Sequence, residues 1–397
     1  MIARRGHCPL CGGINLIEGL ARSQVPVFQN RIYPTRSIAL KAQTGELSIK
    51  VCRSCGFIFN AAFDSILVPY DADYENDQTM SEAFAAHVDG IASLLLDEVR
   101  ALRDPVVLEI GCGQGGFLAR LAAVAARNGR RLGRGIGFDP AFRSSRHAAD
   151  ASVEIHAALF DHAAAEAIGR PIDLVVSRHV IEHVPDPVGF LRAVAASLPS
   201  RQRVVLAVET PCVDWILRNE VVQDFFYEHC NYFSAETLHL ALQYAGFCDV
   251  RIEHVFDGQY MLARAVAGGH GRPALPANAD ARVEAFTRFS RKAIAKTVAW
   301  RERLDAQTGH VALWGAGAKG ATFAATIDPD CRRIACLIDV NPRKQGHFVP
   351  GSGHRIVAPG EAVDAGIRFA IVMNPNYRNE IAAAIRRQGW PFDLWQG

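Results

Sequence analysis

The chain has 397 residues, of which 49% are hydrophobic and 21% charged, and its formal net charge is only +2. A single core rarely serves a chain of this length, so two or three domains are expected. The near-neutral balance argues against nucleic acid as a partner. No uninterrupted apolar run reaches the roughly 18–20 residues that span a bilayer, and the start, MIARRGHCPLCGG, lacks the apolar stretch of a secretory signal. A cytoplasmic protein with no membrane partner is therefore predicted.

Ten cysteines without a signal sequence point to thiols or metal ligands rather than disulfides. Cys8 and Cys11 in CPLC and Cys52 and Cys55 in CRSC make two pairs, each followed by glycine and separated by 40 residues. Four thiolates converging as a tetrahedron suit Zn2+, and a site with no open coordination position is structural. The segment between the pairs is too short to bury a core alone, so the metal would supply much of the folding energy of a domain over residues 1–69. Cys112, Cys212, Cys230, Cys248, Cys331 and Cys336 read as small packing residues. Next in the chain, Tyr70, Tyr74 and Gln78 are spaced by four. On a helix they share one face, which either packs on the following domain or meets a ligand.

The second domain is expected over residues 70–270. VVLEIGCGQGG is an apolar strand running into a glycine turn, followed by the helical pattern FLARLAAVAARNG. Gly111, Gly113 and Gly116 fit a dinucleotide GxGxxG, whereas Glu109, Gly111, Gly113 and Gly115 fit the ExGxGxG form of S-adenosylmethionine (SAM) enzymes. A carboxylate at Glu109 would repel a pyrophosphate but pair with the ammonium of a methionine moiety, which favours SAM. Asp139 ends the next strand, RGIGFDP, where it would accept the ribose hydroxyls. Asp161 in HAALFDH either reaches the adenine amine or caps a helix. IDLVVSRHVIEHVPDP is a buried strand breaking into a turn with His179, Glu182 and His183, and such strand ends line the ligand crevice. His179 is placed beside the sulfonium, and Gln78 is assigned to the same cofactor side. A fourth strand, RVVLAVETP, ends in Glu209 and leads to FFYEHCNYFS, which sets Glu228 and His229 among aromatic residues.

Residues 271–307 hold a Gly/Pro-rich boundary and a long amphipathic linking helix. The last 90 residues or so, 308–397, repeat the strand, glycine turn and helix in HVALWGAGAKGATFAA. Gly315, Gly317 and Gly320 with Asp339 downstream match the dinucleotide fingerprint by spacing. The length suggests a half-Rossmann unit, with Lys319 and Lys344 either neutralising a diphosphate or simply solvated.

Taken in order, the CxxC pairs, the tyrosine connector, EIGCGQG, HVPD, the EH-x-x-YFS segment, DGQY, GAGAKG and DVNPRKQG resemble one family. It is the three-domain SAM-dependent C-methyltransferases of nucleotide-linked deoxy-keto sugars in deoxysugar biosynthesis. The resemblance implies an α/β fold: a class I methyltransferase Rossmann-like domain flanked by a small N-terminal zinc-binding domain and a C-terminal Rossmann-like domain. It implies a small-molecule acceptor, a nucleotide-sugar, with the last domain holding the nucleotide or closing the cleft; the sequence itself leaves monomer and homodimer both open. In the mechanism that follows, His229 is the base that removes a proton α to the ketone. Glu228, Tyr227 and Tyr232 shape the site, with Tyr70 and Tyr74 on the acceptor side.

The chain departs from the family at Phe226, where relatives resemble one another in carrying tyrosine, and at Asp257, Gly258 and Gln259, where they carry a GGS turn. The connector tyrosines are also spaced differently. The substrate is expected to differ accordingly. The competing readings are an O- or N-methyltransferase on another metabolite, a zinc-bearing RNA methyltransferase, and a non-catalytic nucleotide-binding scaffold.

Overall fold

The computed structural model describes residues 5–69, 80–143, 152–169, 171–198, 203–269 and 273–397. Its strands fall into three sheets. The first is an antiparallel meander of β1 (Leu16–Pro26), β2 (Thr44–Cys52) and β3 (Ile58–Asn60).

The second sheet begins with β4 (Val106–Ile110), β5 (Arg134–Phe138), β6 (Val153–His156), β7 (Leu174–Arg178) and β8 (Val205–Pro211), all parallel. The residues of β4 are buried throughout, as expected of a central parallel strand covered on both faces. After β8 the chain leaves this sheet to form β9 (Asn231–Tyr232), then returns as the hairpin β10 (Phe247–Val255) and β11 (Tyr260–Ala267). The order is β10-β11-β8-β7-β4-β5-β6, with β11 antiparallel to β8. Strand order reverses at β4, so the turn after β4 opens into the crevice where such sheets bind ligands.

The third sheet contains β12 (Val311–Trp314), β13 (Ile334–Ile338), β14 (Ile356–Val357), β15 (Phe369–Val372) and β16 (Asp393–Gln396), parallel in the order β14-β13-β12-β15-β16. This is fuller than a half-Rossmann unit. Strands of two to five residues, several joined by short turns, let five parallel strands fit the available length. The order again reverses at the strand that precedes the glycine turn, here β12.

Two features join the three bodies. The helix Ala279–Asp305 buries Val283, Phe286, Phe289 and Ala293 against the first sheet and, farther along, Trp300 and Leu304 in the third domain's core. Gly19 of β1 lies so close that a Cβ there would stand 2.3 Å from the Phe286 ring. Strand β9, although it falls within residues 70–270, completes the N-terminal sheet by pairing antiparallel with β3, Tyr232 opposite Ile58 and Asn231 opposite Phe59.

Candidate active site

The four patterned cysteines converge. Cys8 and Cys55 Sγ are 3.7 Å apart, Cys11 and Cys52 Sγ 3.6 Å, and all four thiols lie within 4.8 Å of one another. A tetrahedron with Zn–S bonds of about 2.3 Å has edges of about 3.8 Å, so the set fits Zn2+ without rearrangement. Each pair closes on its own backbone, Gly12 N donating to Cys8 O at 2.9 Å and Gly56 N to Cys52 O at 2.8 Å. Both glycines have positive φ, 74° and 73°, which explains why glycine follows each pair.

Around the turn after β4, Asp139 at the end of β5 accepts hydrogen bonds from Gly113 N and Ala141 N, each at 2.8 Å. Gly113 has φ 54°, and a Cβ there would meet nothing within 4 Å. The backbone therefore faces open space at the start of the helix Gly116–Arg127, the cradle a nucleoside needs. Glu109 is 2% exposed with an Oε2 that has no hydrogen-bond partner among the described residues. Burial pushes its carboxyl up to about 8, against the opposing pull of Arg178. An orphaned buried acid beside an open glycine cradle fits the ammonium and ribose ends of SAM. Asp161 is exposed and caps the helix His162–Ala167 through a 2.8 Å bond from Ala164 N, which is the helix-cap alternative.

A cleft of about 250 Å³ opens between the second and third domains. His179, Glu182, His183, Phe226 and His229 line one wall, and Gly315, Gly317, Lys319 and Asp339 line the other. His179 follows β7 at φ 54°, a left-handed conformation unusual for histidine and found at sites that over-determine it. Its Nδ1 is 3.5 Å from Glu182 Oε1, and its ring meets the Tyr260 ring edge-on at 4.7 Å.

His229 packs on Phe226, with ring centroids 4.0 Å apart, and on His183 at 4.7 Å. Among the described residues nothing hydrogen-bonds its ring nitrogens. Burial, reinforced by His183, His179 and Lys319, holds its pKa well below the ordinary imidazole value, so the ring is neutral. Its sequence neighbours face elsewhere. Glu228 is fully buried, its Oε2 accepting from Gln29 N at 2.8 Å. Tyr227 OH accepts from Asp64 N at 3.0 Å, and Tyr232 OH donates to Phe226 O at 3.2 Å. These three brace the wall rather than line the cleft. Tyr70, Tyr74 and Gln78 lie outside the described residues.

Sequence reasoning missed His87 and Asn30. His87, from the helix Glu82–Glu98, bonds Glu209 Oε1 through Nε2 at 2.6 Å, while Arg178 Nε donates to the other oxygen at 2.6 Å. Burial would raise the Glu209 pKa, but Arg178 and the two histidines outweigh it and the carboxyl stays below its usual range. Asn30 brings the first domain to the cleft. No local signal marks either residue. Both supposed phosphate lysines are engaged. Lys319 pairs with Asp224 across the cleft, and Lys344 Nζ donates to Ala316 O at 3.3 Å and lies 3.7 Å from Asp339. Asp339 accepts from Ala316 N at 3.0 Å and Asn341 N at 2.9 Å, repeating the tie that Asp139 makes to its own glycine turn.

Residues 81–252 match the family model of a methyltransferase domain, and residues 276–390 that of a C-methyltransferase C-terminal domain. C-methyltransferase NovU of Streptomyces niveus is 24% identical over 401 residues, covering 94% of this chain and 91% of that protein. The ubiquinone biosynthesis O-methyltransferase of Pseudomonas putida (strain GB-1) is 32% identical over 99 residues, 25% of this chain and 41% of its own length. Among solved structures, human N-acetylserotonin methyltransferase in complex with SAM is 13% identical, covering 48% of this chain and 54% of that one with a TM-score of 0.36. No described helix is long and apolar enough to cross a membrane.

Proposed function

Since the chain belongs to the SAM-dependent methyltransferases and carries a C-methyltransferase C-terminal domain, we propose that it methylates carbon α to the ketone of a nucleotide-linked deoxy-keto sugar, with His229 as the general base. Bound SAM would supply an electrophilic methyl group on a sulfonium. Glu109 would hold the ammonium and Asp139 the ribose, with the backbone of Gly111, Gly113 and Gly115 accommodating the ligand's approach. His229 would take the α-proton, and the resulting carbanion, delocalised onto the ketone oxygen, would be the nucleophile. His179 would stand at the sulfonium side of the cleft, and the Phe226 ring packed on His229 would exclude water.

The reading is carried by His229, a neutral imidazole at the wall of a cleft with no hydrogen bond to its ring nitrogens among the described residues. A general base must be unprotonated and have a ring nitrogen free to take the proton, and both properties are met here. The nucleotide would lie across the cleft, on the glycine turn that opens the helix Ala318–Ile327. With Lys319 and Lys344 engaged, backbone N–H groups would meet the phosphates there. Phe226 offers no hydroxyl at its place in the wall, and we assign to it a preference for an acceptor lacking a polar group at that point.

Methyl-labelled SAM supplied with a panel of nucleotide-linked 4-keto sugars tests the proposal. NMR should find the label on carbon beside the ketone, with exchange of the α-proton into deuterated water. Label on oxygen or nitrogen, or transfer to none of the panel, would overturn it.

A further inference from the structure

Glu182, His183 and His229 bring three metal-type donors to one point of the cleft wall, with one ligand atom from each lying within 4.8 Å of the others. Two imidazoles and a carboxylate facing a cleft suit Zn2+, Co2+, Ni2+ or Fe2+ better than Mg2+ or Ca2+, which take oxygen ligands. Two separate elements deliver the donors. Glu182 and His183 share the single turn Ile181–His183 after β7, and His229 comes from the segment before β9.

Two of the donors are supported from behind. His183 Nδ1 donates to the Glu228 carbonyl at 3.0 Å, so coordination would use Nε2. The His183 and His229 planes are 84° apart. Glu182 Oε2 accepts from Thr210 Oγ1 at 3.0 Å, while Oε1 is buried without a hydrogen bond among the described residues. Outer partners of this kind orient metal ligands. The carboxylate is 1% exposed, and among the described residues no lysine or arginine forms a salt bridge with it.

We propose that the cleft binds one divalent transition-metal ion on Glu182, His183 and His229, and that this ion inhibits methyl transfer by occupying the lone pair of His229. The inhibition rests on His229 being the base, whereas the binding does not.

The test uses the full chain with zinc filling the four-cysteine site, titrated with Co2+ and followed by visible absorption. One further ion per chain is expected, with d–d bands but no thiolate-to-cobalt charge-transfer band. Thr210→Val, which leaves all three donors in place, and His183→Asn should each weaken binding by about 10-fold or more. Methyl transfer should fall along the same titration and return with a chelator that leaves the zinc in place. No cobalt beyond a thiolate spectrum, affinity unchanged from the wild type in both variants, or full methyl transfer at saturating cobalt would each overturn the proposal. Should no acceptor be methylated in cobalt-free enzyme, the proposed reaction falls while the optical titration still decides whether the ion binds.

Discussion

Glu109 joins burial to proton chemistry at the scale of one side chain. The folded protein holds its proton up to about pH 8, whereas an unfolded chain releases it near the ordinary 4.5. Between those values this group makes stability fall as pH rises, and Glu109→Gln should remove that slope from pH-dependent denaturation of the ligand-free protein. If the cofactor's ammonium pairs with Glu109, binding must ionise it. Calorimetry in buffers of different ionisation enthalpy should then find about one proton released per SAM near pH 7 and almost none near pH 9. His229→Asn should cost about 10²–10⁴ in methyl transfer and stop deuterium exchange while SAM affinity stays unchanged. At this scale the four cysteines and the first glycine turn were legible because their spacing is local. Glu228 was misleading for the same reason. Consecutive residues of a non-helical segment project to different sides, so with His229 on the cleft, Glu228 turns inward to Gln29, which is 199 residues away in sequence. His87 reaches Glu209 from a helix face that reads as ordinary packing, and no pattern in its own segment marks it.

At the scale of elements, each glycine turn is tied down by the acid that ends the following strand. Gly113→Ala would place a methyl in the open cradle and strain a positive φ. SAM affinity should drop by about 10-fold or more, with a melting temperature only about 2–4 °C lower. In the third domain, Asp328 is wholly buried and ends the helix Ala318–Ile327. Its oxygens accept from the backbone N–H groups of Arg332, Arg333 and Ile334 and from His354 Nε2 at 3.1 Å. Burial opposes its charge, but these bonds prevail and lower its pKa. Burial likewise opposes the His354 cation, but Asp328 and Cys331 prevail and raise it. The Asp328 contribution is present above its ordinary 3.8 and is lost as pH falls. The His354 contribution is present below its ordinary 6.5 and is lost as pH rises through its elevated value. Hydrogen exchange in β13, corrected for intrinsic rates, should therefore be faster at pH 8 than at pH 6, and His354→Gln should abolish the difference. Long periodic segments such as the linking helix were readable in advance. The two-residue strands β9 and β14 were not, because pairing partners far along the chain create them.

Across the whole molecule, the wall carrying His229 is held by the N-terminal sheet of the domain that carries the four cysteines. Asn60 N donates to Cys230 O at 2.9 Å, Gln29 N and Asp64 N hold Glu228 and Tyr227, and the Phe57 ring lies 5.0 Å from that of Phe233. Stripping the zinc should abolish methyl transfer while SAM affinity stays within about twofold, since none of the proposed SAM ligands is carried by the first sheet. Parallel loss of both would contradict this division. The three-domain architecture was legible from motif order, but the crossing of β9 into the first sheet was not, because a pairing of two residues leaves no period to read. That crossing has a consequence during synthesis. The four-cysteine set is complete as soon as Cys55 has emerged, yet the sheet of the first domain keeps an open edge at β3 until Tyr232 leaves the ribosome. The nascent chain must protect that edge while most of the second domain is made, so the pause before β9 docks is where this protein is most exposed to mispairing.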